Sequence, residues 1–398
     1  MNTEILVVGV PWNLHELATV VRDAEALGLR VHVADTEEAL AKVDASVRCA
    51  RVPVAEPTVE AVSAAAAALA PHTVVSVTER QLVLAAQVRE RLGLPGTSSA
   101  AELRVRDKYL MRQALREAGL TGVGFTECPV TELPAALAGL RLPVVVKPRS
   151  LAGSIAVHRV DGPDDLAVVR DYYLDGSPLR DSVLIEEFIP GREISFEGLA
   201  VDGRLFRFAV TDKVNTGAPN YFEVGHLMPA LLDDGTVARI ESHVQDVVKA
   251  LGIETAPIHA ELKIAGDRLE LVEIHTRFGG GNIVRLLEET YGIEPFRAYL
   301  GALVGHPAPS PGPASETWGV GFFTVDIGAT AAWPDFGFPH PEAVVSIDYD
   351  TRRTPKLETI DGVRMQRWRC GHAMFRAADA EAVHANIRFL YETFPGRR

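Results

Sequence analysis

Cysteine is scarce: three in 398 residues, at positions 49, 128 and 370, with no CxxC among them. Neither a zinc site nor a disulfide framework is supported by so few and such scattered thiols. No apolar run approaches the ~20 residues of a membrane span, and no basic stretch near the start leads into an apolar segment of signal-peptide type. A reducing cytoplasm is therefore the expected location. Positive charge is also short, with 40 Lys and Arg against 53 Asp and Glu, a net charge of −13. That balance argues against a nucleic-acid surface, which needs a local excess of Lys and Arg. We expect neither a nucleic acid nor a membrane as partner. A single lysine-lined cleft for phosphates stays compatible with an acidic protein. The phosphate loop GxxxxGK followed by Ser or Thr is missing, and so are HExxH and GxSxG, the two commonest hydrolase templates. The first turn, Gly9-Val10-Pro11-Trp12-Asn13, is not GxGxxG, so no dinucleotide site is expected there.

What remains is an ordinary globular composition, 47% hydrophobic and 23% charged, long enough for two or three domains. The apolar runs EILVVGV (4–10), RVHVAD (30–35) and HTVVSVT (72–78) alternate with helix-like stretches around 14–27 and 58–70. This alternation predicts a parallel sheet with helical crossovers over roughly the first 95 residues. Ser98 or Ser99 is placed to cap one helix, and Asp107 to cap another running to Gly119. LPVVVKPRSLAGSIAVHRV (142–160) reads as strand, turn and strand, and Asp202-Gly203 marks a hairpin within 182–214. HPAPSPGPA (306–314) reads as a connection. Strands at 319–328 and 343–349 follow, then a capped helix from Asp379 to Phe394.

Residues 259–281, HAELKIAGDRLELVEIHTRFGGG, read as two strands joined at Gly266-Asp267. Hydrophobicity selects the register. With Glu261 opposite Glu273, one face holds Ala260, Leu262, Ile264, Val272 and Ile274. The other holds His259, Glu261, Lys263, Glu273 and His275. A one-residue slip would mix the two sets. Carboxylates directly opposite each other destabilise a sheet unless something positive lies between them. A hard divalent cation with oxygen ligands, Mg²⁺ above all, meets that need when substrate phosphates complete its shell. The plainer reading is a solvated face on which Lys263 dilutes the repulsion.

Five separated pieces stand in one order: Lys108 in RDKYLMRQAL, Lys147 closing VVVKP, the small-residue loop SLAGS (150–154), EEFIPGRE (186–193), and the Glu261/Glu273 pair. Their order and spacing resemble the ATP-grasp superfamily of carboxylate–amine or thiol ligases, over about residues 95–300. The resemblance implies an α/β and α+β multidomain architecture: an ATP-grasp fold behind an N-terminal parallel-sheet, Rossmann-like domain. The implied parts are an N-terminal domain over 1–95, a small or lid region over 96–182, a large domain with the metal site over 183–305, and a C-terminal α+β region over 306–398 that completes it.

The same resemblance implies ATP and Mg²⁺ (or Mn²⁺) as cofactors and gives the residues their roles. Lys108 and Lys147 match lysines that contact phosphate, the second reaching the adenine region too. Ser150, Gly153 and Ser154 fall in a loop resembling the lid over the triphosphate, where small residues let backbone N–H groups approach phosphate oxygens. Glu186, Glu187 and Ile189 match the stretch that reads adenine, and Glu193 the carboxylate that takes the ribose hydroxyls. At the metal the family shows Glu, then Glu-x-Asn-x-Arg. Here these are Glu261, then Glu273-Ile274-His275-Thr276-Arg277. His275 stands in place of the usual Asn. Imidazole suits Mg²⁺ less well than an amide oxygen, so His275 belongs either at the metal or towards substrate. Arg277 keeps its place, and its fork can hold oxygens bidentately. Gly279, Gly280 and Gly281 then let substrate approach the backbone.

Asp212-Lys213, followed by Phe222-Glu223-Val224-Gly225-His226 and Pro229, narrows the resemblance to L-amino acid ligases and carnosine-synthase-like dipeptide synthetases. Lys213 is then expected at the γ-phosphate, and Glu223 and His226 in the amino-acid pocket. The implied reaction is attack of a substrate carboxylate on the γ-phosphorus, followed by displacement of phosphate from the acyl phosphate by an amine. Its partners are small-molecule carboxylates and amines, amino acids foremost, and its catalytic residues Lys213, His226 and Arg277. A homodimer is the assembly the family suggests. Two alternatives stand beside it: another ATP-grasp enzyme (a carboxylase or natural-product amide ligase), or a catalytically silent ATP-binding regulatory protein. Retention of both glutamates, Arg277 and three lysines favours the active enzyme.

Overall fold

Apolar runs that read as buried strands form the first layer of the structure. In the computed structural model, which describes residues 3–11, 13–151, 156–174, 182–217, 223–323, 337–349, 357–360, 363–366 and 371–393, they are β1 (Thr3–Val8), β2 (Leu29–Asp35), β3 (Ala50–Pro53) and β4 (Thr73–Val75). They lie in the order β3-β2-β1-β4 and pair in parallel, as the alternation of strands and helices requires. β3 escaped the sequence pattern because it is a short edge strand, three of whose four residues are exposed.

A second, antiparallel sheet contains β5 (Phe125–Cys128), β6 (Val144–Lys147), β7 (His158–Val160) and β8 (Val183–Glu187), in the order β5-β8-β6-β7. The helix Pro163–Leu174 covers it, with Val169 and Tyr173 buried.

The third sheet is the largest. Its strands are β9 (Arg192–Val201), β10 (Arg204–Asn215), β11 (Glu223–Met228), β12 (Ala256–Ala265), β13 (Arg268–His275), β14 (Thr317–Phe323) and β15 (Val344–Tyr349), with one further strand near the C-terminus. A separate hairpin, β16 (Leu357–Ile360) with β17 (Val363–Gln366), precedes that last strand, β18 (Gly371–Ala377). The order is β13-β12-β9-β10-β11-β14-β18-β15, antiparallel throughout. The helix Asp234–Leu251 buries Ile240, Val244, Val247, Val248 and Leu251 on one part of this sheet. Ala380–Thr393 packs on another, against β14 and β18. The helices Ile283–Tyr291 and Pro295–Leu303 share one core with the parallel sheet, so the N-terminal layer is fixed against the large sheet. No described helix is long and apolar enough to cross a membrane.

The hairpin β12–β13 satisfies two conflicting signals. Gly266-Asp267 makes a two-residue turn that sets Ala265 opposite Arg268 and Leu262 opposite Leu271. Continued unchanged, that register would put Glu261 opposite Val272. A bulge between Glu261 and Leu262 resets it, and Glu261 faces Glu273 as hydrophobicity demands. Leu271, not Val272, therefore joins the core: it is fully buried, while Val272 is left over by the bulge.

Candidate active site

Ser98 caps the helix Ser99–Arg106, and Asp107 caps the helix Lys108–Glu117 by accepting from the N–H groups of Tyr109 and Leu110. Lys108 thus begins a helix, where the macrodipole disfavours a cation. Its ammonium is nevertheless buried, donating to Glu273 Oε2 at 3.0 Å and to the Leu151 carbonyl at 2.8 Å. The Lys108 N–H bonds the Arg149 carbonyl, and the Arg149 guanidinium holds both Asp107 and Glu127. The start of this helix is therefore tied to the end of β6, which carries Lys147.

Lys147 closes β6 with its ammonium 2.5 Å from Glu186 on β8, and Arg112 Nε donates to the same carboxylate at 2.6 Å. All three side chains are buried. Burial alone would raise the Glu186 carboxyl, but Arg112 and Lys147 hold it at about 2. Burial, only partly offset by Glu186, lowers the Lys147 ammonium. Two cations on one carboxylate leave a buried excess of positive charge, which suits an arriving phosphate. Glu187, on the opposite face of β8, is bound by both prongs of Arg141 at 3.1 Å, and these bonds keep its carboxyl at about 2. Ile189 is half-buried in the segment between β8 and β9, and Ser150 is exposed where its loop begins. Gly153 and Ser154 lie outside the described residues.

On the large sheet, Lys213 of β10 is buried among three carboxylates: Glu261 at 2.5 Å, Glu193 at 3.4 Å, and Glu223. The three acids lie close enough together to hold a cation among them, their ligand atoms being within 4.8 Å of one another. Burial opposes the Lys213 charge, but the acids raise its pKa well above the ordinary lysine value. Glu193 is also met by Lys263 at 2.7 Å. Burial likewise works against the Glu261 and Glu273 anions. Lys213 outweighs it at Glu261, and Lys108 with His275 outweighs it at Glu273, so both carboxyls lie below their usual range. The positive charge that the opposed carboxylates require is thus supplied by two lysines, Lys213 from the large sheet and Lys108 from the start of a helix.

His275 places Nε2 3.2 Å from Glu273 and Nδ1 3.4 Å from Glu79. Arg277 donates to Glu79 through Nη2 at 2.8 Å and Nε at 3.2 Å, and through Nη1 to the Phe278 carbonyl at 3.0 Å. Across β10–β11 His226 is the register partner of Lys213, and its buried ring stands edge-on to Phe322 at 5.5 Å. Its Nε2 is 3.8 Å from Glu223. Gly281 has φ +61°, where glycine is favoured, and a Cβ on Gly279 would lie 2.8 Å from His259 Nδ1, whereas Gly280 faces open space.

Two residues here escaped the sequence reading. Arg112 looks like any basic position on an amphipathic helix. Glu79 carries a usable signal: it follows β4, and open α/β sheets place ligand residues beyond the carboxyl ends of their strands.

Comparison with known proteins identifies the domains that carry most of these residues. A model of the ATP-grasp domain matches residues 140–285, and one of the ATP-grasp N-terminal domain matches residues 21–96. This is an ATP-grasp protein. Among its relatives, alanine–anticapsin ligase of Bacillus subtilis strain 168 is 28% identical over 251 residues, covering 57% of this chain and 53% of that one. The L-arginine-specific L-amino acid ligase of Bacillus subtilis is 24% identical, with 57% and 56% covered. The ATP-grasp chain spans about half the length of the curated relatives it matches. The crystal structure of an L-amino acid ligase from Bacillus licheniformis superposes with a TM-score of 0.74 at 23% identity, covering 98% of this chain and 97% of that one. That likeness gives the ATP-grasp fold, here a parallel N-terminal sheet followed by antiparallel sheets.

Proposed function

We propose that the chain is an ADP-forming carboxylate–amine ligase, joining an amino acid or similar carboxylate to an amine. The observation that carries this reading is that Lys108, Lys213, Glu261, Glu273 and Arg277 form one contiguous cluster, linked through the Glu261/Glu273 pairing and through His275 and Glu79. The division into 1–95, 96–182, 183–305 and 306–398 is kept as part of the proposal.

Lys108 and Lys147 take phosphate oxygens, and the stretch of Glu186, Glu187 and Ile189 reads the base, Glu187 through its backbone because its side chain is on the other face of the strand. Glu193 takes the ribose, and the loop from Ser150 through Gly153 and Ser154 covers the phosphates. The residues fit a divalent cation: Glu261 and Glu273 are opposed, ionised and offer only oxygen donors, with His275 alongside. A bound Mg²⁺ would neutralise charge building on the transferred phosphoryl group. Lys213 meets that charge from the other side, and Arg277 orients the substrate carboxylate. Glu223, His226, Glu79 and Gly279–Gly281 line the amino-acid side. The carboxylate oxygen attacks the γ-phosphorus, and the bond to the β-bridging oxygen breaks, leaving ADP. An amine then attacks the acyl carbon and phosphate departs. These steps rest on positioning and preorganised charge.

A coupled ADP-release assay over an amino-acid panel, with chromatography of the nucleotide products, tests this. ADP and phosphate in proportion to a new amide are expected. AMP and pyrophosphate would overturn the acyl-phosphate route, bicarbonate-dependent turnover would make it a carboxylase, and Mg·ATP binding without turnover on any substrate would make it a regulatory subunit.

A further inference from the structure

Behind Glu261 a line of polar side chains runs into the protein from the face the two strands share. In the pairing of β12 with β9, His259 lies opposite Glu197 and Glu261 opposite Ser195. Glu197 is wholly buried. Its Oε1 accepts from the Ser195 hydroxyl at 2.7 Å, and its two oxygens lie 2.9 and 3.0 Å from His259 Nδ1. The other ring nitrogen, Nε2, is 3.3 Å from Glu261 Oε1, the oxygen that also meets Lys213 at 2.5 Å. The ring lies parallel to His275, at 19° and 5.9 Å between centroids. It fits against Gly279, where a Cβ would come within 2.8 Å of Nδ1.

Nothing in the fold alone calls for this arrangement. A carboxylate with no exposure costs free energy unless it is paired and hydrogen-bonded, and an apolar residue would fill the position between β10 and β12 without that cost. The contacts do fix one thing, the orientation of an imidazole. Nδ1 sits between two carboxylate oxygens and so carries a proton, which leaves Nε2 aimed at Glu261. A carboxylate that orients a histidine, which in turn steadies a metal-site group, is a recurrent way of tuning metal affinity.

We propose that Glu197 and His259 are positioning residues for the divalent-cation site: Glu197 locks the imidazole, and the imidazole fixes the rotation of the Glu261 carboxylate. The inference rests on the reading of Glu261 as a cation ligand.

Direct binding of Mn²⁺, followed by electron paramagnetic resonance in the presence of a non-hydrolysable ATP analogue, provides the test, with no turnover required. Binding of a fluorescent form of that analogue in EDTA is measured beside it. Glu197→Gln keeps the size and an acceptor but loses the charge, and His259→Asn shortens the link. Each should weaken Mn²⁺ by roughly 10- to 100-fold while leaving metal-free nucleotide binding within about twofold. Because the two act in series, the double variant should cost no more than the worse single one. A merely structural role would lower nucleotide and metal binding together. Either that outcome, unchanged Mn²⁺ affinity in both variants, or additive losses overturns the inference while leaving the ligase reading intact. A wild-type protein that binds the analogue but no Mn²⁺ removes Glu261 as a ligand, and this inference with it.

Discussion

Arg277 and Glu79 meet across the junction of the N-terminal layer and the large sheet, two guanidinium nitrogens converging on one carboxylate oxygen at 2.8 and 3.2 Å. Burial acts to raise the Glu79 carboxyl, but His275 and Arg277 hold it below the usual range. Glu79 therefore stays ionised beside the amino-acid end of the proposed cleft, where it can steady Arg277 and accept a substrate ammonium. A charged hydrogen bond of this kind is worth roughly 1.5–3 kcal/mol. Glu79→Gln should accordingly raise the KM for the amino-acid substrate by about 10- to 100-fold, with a smaller effect on the KM for ATP. Saturation curves of ADP release measure both. An unchanged amino-acid KM would reduce Glu79 to a tie between domains.

Arg277→Lys asks whether the fork itself matters. The guanidinium spans Glu79 and the Phe278 carbonyl at once with a rigid planar fork, a geometry that the single nitrogen of an ammonium cannot reproduce. We expect kcat/KM to fall by at least about 100-fold, near 3 kcal/mol of lost transition-state stabilisation, with the melting temperature close to wild type. Near-normal turnover would move Arg277 out of the reaction.

Much of this arrangement is legible in the strand patterns and in the family order of the motifs. Glu261 opposite Glu273 follows from which residues have to share the apolar face, Lys108 and Lys147 from their place in that order, and Lys213 from the narrower Asp212-Lys213 pattern. The bulge that achieves the pairing is not legible, because turn and hydrophobic pattern each specify a register and only the folded hairpin shows how both are kept. Glu79 lies 198 positions from Arg277, and no local periodicity reports such a contact. Arg112 gives no sign because its buried carboxylate partner lies 74 residues away on another element. Nor do the strand patterns show that Lys108 and Lys213 already neutralise the opposed carboxylates, since both lysines come from other elements.

The Arg112–Glu186–Lys147 cluster gives an ordering of stabilities. Removing Glu186 leaves two buried cations with no counter-charge, whereas removing Arg112 leaves Lys147 and Glu186 paired one to one. Breaking a buried pair costs roughly 3–5 kcal/mol. Glu186→Gln should lie in that range, and Arg112→Met should lose clearly less. Urea midpoints compared at one pH decide it, and the reverse order would show that Arg112 is needed more for packing than for charge.

Glu102 gives the pH dependence. It lies in the helix Ser99–Arg106, 3% exposed, and its Oε2 accepts from the Thr276 hydroxyl at 2.5 Å, one residue from Arg277. Burial raises its carboxyl from the ordinary 4.5 to about 7, the bond from Thr276 and the more distant Arg89 offsetting only part. The folded pKa is thus higher than the unfolded one. Below the unfolded value both states carry the proton, and Glu102 adds nothing to the pH dependence. As pH rises from there to about 7, the unfolded chain releases its proton while the folded chain retains it, so stability falls. Above about 7 both states are ionised and the penalty is constant, at most about 3 kcal/mol at 1.36 kcal/mol per pKa unit. Glu102→Gln keeps the shape and a partner for Thr276 but has no proton to lose. Its stability relative to wild type should therefore climb between pH 5 and pH 7 and level off beyond, by ~1–3 kcal/mol in all. Urea midpoints of both proteins at pH 5, 6, 7 and 8 trace the difference. A gap that does not change with pH would mean that Glu102 is ionised in the folded protein throughout, held by more positive charge than Arg89 and the Thr276 hydroxyl supply.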